Sequence, residues 1–480
     1  MDESLLFIII GGVLAISVLV ALVASNAGVP ALVAFLGFGM LLGVDGPGHI
    51  GFTDVGLAQA VGTIGLVAIL FEGGLSTSLR RLREAAVPAA LLSTVGVAVT
   101  ALLTGVAAQI IFKLPILEAL LLGAVVASTD AAAVFSTFRV SHIRRRLARI
   151  LEAESGGNDP TAIALTVGII SWIQQPTYHF GNVVLLLVQQ LGIGLLVGLA
   201  LGKLAMYVFA RLPHSIGAFA PVASASAALL SFGVAGLFGG SGFLAVYIVG
   251  LAIGSTPSRY RGPLTLFHEG LAFLAQVTMF IIMGIFVVPH TLWKIALPSI
   301  ILTLVLIVII RPVAVWISIP LGRLTTRERA FLGWAGLRGA LPIILGMYVL
   351  SAGLPHAQFI FNTVFFVVLF SALIQGTTLN WVAKRLGVLD KLPSDKESRH
   401  RDSIEKIYFH VAPQHSIAGA AVREVGLPPR AHIIEVKRRS KIIEIDNQTV
   451  IRPRDRLCVE APYSIHPEIE DVFMRWRRRV

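Results

Sequence analysis

Along most of the chain, polar positions fall in short clusters and apolar positions in long runs. The runs are about 20 residues long, as a bilayer-crossing helix requires, and they continue to about Val382. Thirteen spans are predicted, near 5–24, 30–44, 56–76, 86–111, 115–137, 147–173, 182–210, 217–238, 242–255, 264–288, 292–319, 330–351 and 357–383. The second and ninth are short enough to be tilted, broken or partly interfacial. Beyond the last span the pattern changes to that of an ordinary soluble domain. Residues 391–402 are charged, and 406–411, 431–436, 441–445 and 456–459 alternate like short strands. Residues 419–427 read as a short helix ending at Gly426. The predicted fold class is an all-α polytopic membrane protein with a small C-terminal α/β domain. Its parts are a membrane domain over 1–385, a linker over 386–402 and a tail domain over 403–480.

The arginines test the span count. With thirteen spans and a cytoplasmic tail, the N-terminus lies outside and alternate loops should be basic. The expected inner loops carry Arg80, Arg81 and Arg83; Arg139, Arg144, Arg145, Arg146 and Arg149; Arg211; Arg259 and Arg261; Arg323, Arg327 and Arg329; then Lys384 and Arg385. The expected outer loops carry little beyond Lys113 and Lys294. One span more or fewer before Arg80 would reverse the pattern.

Composition agrees. The chain of 480 residues is 55% hydrophobic and 14% charged, where a soluble domain carries roughly 25% charge. The net charge of +12 is explained by the loop arginines. No basic face with interleaved aromatics suggests nucleic-acid binding. The acidic start, Met1-Asp2-Glu3, does not suit a signal peptide, so the first span reads as retained. One cysteine, Cys458, excludes a disulfide framework and reads as a small apolar side chain.

Ionisable groups at membrane depth are costly and need a reason. Six stand out: Glu72, Asp130, Glu154, Asp159, Arg311 and Arg338. If the sixth helix starts near Leu147, Asp159 lies about 18 Å along it, near the bilayer middle. Spacing of four puts Ser155 and Asp159 on one face, with Glu154 and Asn158 on the next. Pro160 removes a backbone donor there. The fifth span surrounds Thr129 and Asp130 with small residues, which permit close helix packing or local unwinding. The twelfth span, around Gly336, Arg338, Gly339 and Pro342, is interrupted in the same way. The two lie seven spans apart, as two inverted six-span halves and one extra helix require. Arg338 keeps its proton and needs a partner, for which Glu154 or another buried acid serves. Arg311 either pairs with an acid or reaches the cytoplasmic interface. Glu72 either does the same or faces an aqueous entrance.

These motifs in this order, Thr129-Asp130, Glu154-Ser155 with Asn158-Asp159-Pro160, and Gly336-Leu-Arg338-Gly-Ala340, resemble the monovalent cation:proton antiporters of the NhaP/sodium–proton exchanger type. The resemblance covers the whole membrane domain. It implies thirteen spans with two crossed, unwound helices, and a homodimer working by elevator-like alternation. It makes Asp159 the residue that binds cation or proton, with Thr129, Asp130 and Ser155 as ligands or site lining and Glu72 near the cytoplasmic funnel. Asn158 marks the electroneutral branch. Glu154 and Arg338 match a structural ion pair, and Arg311 a structurally important arginine. One acid then serves H⁺ and Na⁺ or K⁺ in turn, with no cofactor.

The tail is similar to the ligand-sensing C-terminal domain of potassium-transport regulators (TrkA-C, or RCK-C), through Val425-Gly-Leu-Pro428 and the run from Thr449 to Leu457. That pattern usually has Gly before the aspartate, where this chain has Arg454. The association tilts the cation toward K⁺ and allows a small-molecule or nucleotide ligand, or a dimer contact. No glycine-rich phosphate loop is visible. A channel is the main rival, but no selectivity-filter repeat occurs. The buried acids disfavour an anion transporter. An intramembrane enzyme would need a metal or nucleophile motif, which is absent. His268-Glu269 reads as interfacial.

Overall fold

A computed structural model describes residues 3–27, 31–49, 51, 54–77, 79–130, 134, 143–211, 219–256, 261–287, 289–320, 322–389, 404–438, 441–443, 445–446, 448–462 and 466–476. The second half of the fifth span (Val134 apart), the loop around Arg139 and residues 390–403 lie outside them. The chain divides into two units, Met1–Leu389 and Asp390–Val480.

In the first unit each apolar run forms a helix or a pair of helices. The first three spans are α1 (Glu3–Ala27), α2 (Ala31–Leu42) and α3 (Val55–Ser76), the last capped by the Asp54 carboxylate, which accepts from the Leu57 amide. The fourth is α4 (Leu79–Leu91) and α5 (Val97–Phe112), joined by a π turn at Leu92–Gly96. The fifth begins as α6 (Ile116–Val125) and unwinds over Val126–Asp130. The sixth is one long helix, α7 (Arg145–Gln174), with Pro160 inside it. Then follow α8 (Phe180–Arg211), α9 (Ala220–Leu237), α10 (Gly242–Ser255) and α11 (Arg261–Phe286). The eleventh span is α12 (Pro289–Val305) and α13 (Arg311–Ser318), joined by a second π turn at Leu306–Ile310. The twelfth is broken into α14 (Thr326–Trp334) and α15 (Ala340–Ser351), and α16 (Ala357–Leu386) is the last.

The interruptions repeat. π turns fall in the fourth and eleventh spans, and breaks in the fifth and twelfth. Both pairs are seven spans apart, as two inverted halves require. Among the described residues, seven helices are long and apolar enough to cross a membrane by length and composition, and α2, α6, α10 and α15 are shorter apolar helices. Long and short helices share one continuous core, to which Phe71, Leu122, Val249, Ile344 and Phe365 belong. Helices α3 and α10 approach closely because Gly250 has no side chain; a Cβ there would overlap the Phe71 carbonyl.

The first unit ends four residues later than composition suggests. Gly387 closes α16 in a left-handed conformation (φ 65°). Leu389 then bridges Ile143, and the Arg144 amide donates to the Val388 carbonyl at 3.0 Å.

The second unit has a four-stranded antiparallel sheet, ordered β1–β4–β2–β3, from β1 (Ile404–His410), β2 (His432–Arg438), β3 (Lys441–Ile443) and β4 (Arg456–Pro462). These are the expected strands. The expected helix over 419–427 is only a 3₁₀ turn, Val422–Glu424. Its backbone is drawn into pairing instead: Ala421 bridges Val450, and the Val422 amide donates to the Thr449 carbonyl at 3.0 Å. A terminal helix, α17 (His466–Trp476), packs Ile469 and Phe473 into the sheet's core. Cys458 is buried in β4. Buried Asp455 accepts two hydrogen bonds from Arg438, at 2.9 and 2.7 Å, and these hold the Arg438 guanidinium above its ordinary pKa. Arg454 is left-handed (φ 69°), a conformation that glycine adopts without steric cost.

Candidate functional site

The unwound stretch of the fifth span, the middle of α7, α3 and the start of α15 meet around one cavity of about 590 Å³. Its lining includes Glu72, Ser128, Thr129, Asp130, Ser155 and Asp159. Five of the expected site residues thus share one cavity: Glu72, Thr129, Asp130, Ser155 and Asp159. Asn158 is buried just behind, with no exposed surface.

Asp159 is where helix chemistry and packing combine. Its residue is only 8% exposed. Among the described residues, its carboxylate makes no hydrogen bond, so its oxygens are left to whatever occupies the cavity. One turn before it, Gly156 has lost its helical partner, because Pro160 carries no N–H. Gly156 also lines the cavity, against the Tyr247 ring.

Donors on α7 hold the first break open. The Thr129 carbonyl accepts from the Ser155 hydroxyl at 3.2 Å and from the Asn158 amide at 3.1 Å. The same amide donates to the Thr129 hydroxyl at 2.7 Å. An unwound carbonyl at membrane depth would otherwise lack a partner. The two breaks cross: the Asp130 amide donates to the Leu337 carbonyl at 2.8 Å. Gly339 fits the crossing because any Cβ there would run into the Asp130 side chain, including its Cβ. Glu72 accepts from the Ser76 hydroxyl at 2.7 Å one turn away on α3.

The expected Glu154–Arg338 ion pair does not form. Glu154 pairs instead with Arg311, and both side chains are 1% exposed. Arg311 lies against Gly336 in the second break. From there it reaches α7, which answers its two alternatives in favour of pairing. Arg338 donates to the Gly336 carbonyl, two residues back, at 3.1 Å, and forms no ion pair among the described residues. Spacing along the chain could not decide which arginine meets Glu154, because that depends on which elements pack against α7.

Two lining carboxylates escaped the sequence reading, Glu152 and Glu269. Glu152 was legible, since 152, 155 and 159 share one face of α7. Glu269 was read as interfacial with His268. It is exposed and lines the cavity, whereas His268 is buried and shares a 2.8 Å hydrogen bond with Ser224. Oxygen-only ligands, from carboxylates, hydroxyls and carbonyls, suit a hard cation. No group of His, Cys, Asp and Glu among the described residues forms a site for a resident metal.

Comparisons with known proteins bear on the chain as a whole. A family model described as sodium/hydrogen exchanger, transmembrane, matches residues 13–385. A K⁺/H⁺ antiporter NhaP2 from Shewanella sp. (strain ANA-3) is 37% identical over 94% of this chain and 80% of its own length. A K⁺/H⁺ antiporter NhaP from Alkalimonas amylolytica is 36% identical over 98% of this chain and 83% of its own. A Na⁺/H⁺ antiporter, ApNhaP from Aphanothece halophytica, is 29% identical over 78% and 74%. The fold matches the sodium proton antiporter MjNhaP1 from Methanocaldococcus jannaschii with a TM-score of 0.71, at 24% identity, over 80% of this chain and 99% of that one.

Proposed function

The chain belongs to the sodium/hydrogen exchanger family, and from that premise we propose that it exchanges K⁺ for H⁺ across a bacterial-type inner membrane, with Asp159 as the shared binding group. The observation that carries this reading is the Asp159 carboxylate, nearly buried, unbonded among the described residues and lining a largely apolar cavity with Thr129, Asp130 and Ser155. A charged carboxylate so placed is costly when empty. It is stabilised by a proton or by a desolvated monovalent cation, and both need the same oxygens. Occupancy by one excludes the other. If only the loaded site crosses, inward movement of one ion requires outward movement of the other. Thr129, Ser155 and Asp130 complete the cation's shell, and Glu72 receives the ion at the mouth. Asn158 adds no titrating proton, which makes the exchange one for one and electroneutral.

Potassium is favoured over sodium because the K⁺/H⁺ relatives align over nearly the whole chain, tail included, at higher identity than the Na⁺/H⁺ relative. In this reading the N-terminus is outside and the tail is cytoplasmic, as the arginine-rich loops require. The protein works as a homodimer, and the tail is an RCK-C-like regulatory domain that binds a small ligand or nucleotide.

The test is proton movement in proteoliposomes loaded with a pH-sensitive dye, started by an imposed K⁺ or Na⁺ gradient. Wild-type protein gives cation-driven proton flux that a membrane-potential clamp leaves unchanged. Asp159→Asn gives none. Full exchange by Asp159→Asn would refute the assignment, and cation flux without opposing protons would indicate a channel.

A further inference from the structure

A helix that stops at Trp334 and restarts at Ala340 strands backbone groups where no water can satisfy them. Part of the need is met locally. The Ala335 amide donates to the Phe331 carbonyl at 2.8 Å, and the Leu337 amide to the Ala335 carbonyl at 3.0 Å. The rest is met by the neighbouring helix α16. Ser371, Gln375 and Thr378 stand there at spacings of four and three, which puts them on one face. The Gln375 amide nitrogen donates to the Trp334 carbonyl at 2.7 Å. The Arg338 amide donates to the Ser371 hydroxyl oxygen at 3.0 Å. The Trp334 indole N–H donates to the Thr378 hydroxyl oxygen at 3.0 Å. Ser371 in turn donates to the Gln375 side-chain carbonyl at 2.5 Å, so that amide is fixed at both ends. Ser371 is 0% exposed and Gln375 1%.

This rail grips the main chain on both sides of Leu337. The Leu337 carbonyl is the group that accepts the Asp130 amide at 2.8 Å, and Asp130 lines the cavity with Asp159. A continuous chain of bonds therefore runs from α16 through the second break to the first.

We propose that Gln375, with Ser371, is a positioning residue for ion exchange: it fixes the second break so that Leu337 holds Asp130 in register with Asp159. The proposal rests on the antiport reading above. It touches no ion and acts through the backbone of 334–338. The site requires an amide in particular, since one end must accept from Ser371 while the other donates to Trp334. Leucine does neither. An ionised glutamate accepts from Ser371 but opposes the Trp334 carbonyl with a second acceptor.

The test measures apparent KM for K⁺ and maximal rate against pH in proteoliposomes of full-length wild type, Gln375→Leu, Gln375→Glu and Ser371→Ala. Gln375→Leu raises KM about 10-fold at every pH, the size a lost buried hydrogen bond allows, with a smaller change in maximal rate. Gln375→Glu donates to Trp334 only while protonated. Its KM therefore approaches the wild-type value at acid pH and departs from it as pH rises. Ser371→Ala keeps Gln375 and perturbs less; it shows the same direction and decides the matter where Gln375→Leu does not reach the membrane. A purely structural role would lower the yield and melting temperature without a pH-dependent KM in Gln375→Glu. Wild-type KM and pH profile in Gln375→Glu and Ser371→Ala overturn the positioning role while leaving antiport standing. Absence of cation-driven proton flux in the wild type overturns both.

Discussion

The two broken helices cross at one point yet are held open by different means. The first break, at Val126–Asp130, is tied by side chains of α7, the helix that also carries Asp159. Ser155 and Asn158 satisfy the Thr129 carbonyl and stand beside the cavity themselves. The second break is tied from behind by α16, whose polar rail lies outside the cavity lining. The first break therefore lines the cavity with Ser128, Thr129 and Asp130, and one of its supports, Ser155, lines it too. The other supplies the Leu337 carbonyl to the crossing and carries Arg338, which is not among the lining residues. Two copies of the same kind of interruption thus meet at one cavity but lean on different helices.

The comparison can be broken most severely at the crossing. Gly339→Ala places a Cβ on the Asp130 side chain, so the two breaks cannot keep their contact. Exchange in vesicles is expected to fall about 100-fold, the size of effect that misplacement by an ångström produces. The next largest effect is on folding. Glu154→Gln leaves Arg311 buried without its carboxylate and costs about 3–5 kcal/mol, read as a lower unfolding midpoint in detergent. Arg338→Met costs less, since it leaves no acid unpaired, and the opposite ranking would restore the Glu154–Arg338 pairing. Asn158→Ala removes two donors from Thr129 and raises the KM for cation about 5-fold, with exchange retained. The smallest effect belongs to Trp334→Phe. It removes one bond to Thr378 and changes KM about 2-fold, in the direction that Gln375→Leu does.

Much of the site was legible because a charge in an apolar run has few innocent explanations. Asp130, Asp159, Glu154, Arg311 and Arg338 announce themselves against their neighbours, and Ser155 follows from spacing on the Asp159 face. Glu152 lay on that face too, but it sits close enough to Arg149 and the helix start to pass for an interfacial residue. Gln375 and Ser371 were illegible for another reason. Uncharged polar residues are common in membrane helices, and nothing in α16 says that a neighbour has unpaired backbone groups to satisfy. In the tail, the strands followed from alternation, whereas the expected helix over 419–427 gave way to pairing with the 449–451 segment, a contact made across some thirty residues.

Local sequence determined that this chain crosses a membrane many times, that its fifth and twelfth spans are interrupted, and which carboxylates stand within apolar runs. Those properties depend on the cost of putting each residue in hydrocarbon, which is paid position by position. Only the tertiary structure decided which arginine neutralises Glu154, which helix holds each break, and that Glu269 looks into the cavity. These depend on which hydrogen-bonding groups come within 3 Å of one another, and in an apolar medium the alternatives differ by packing that no single segment encodes.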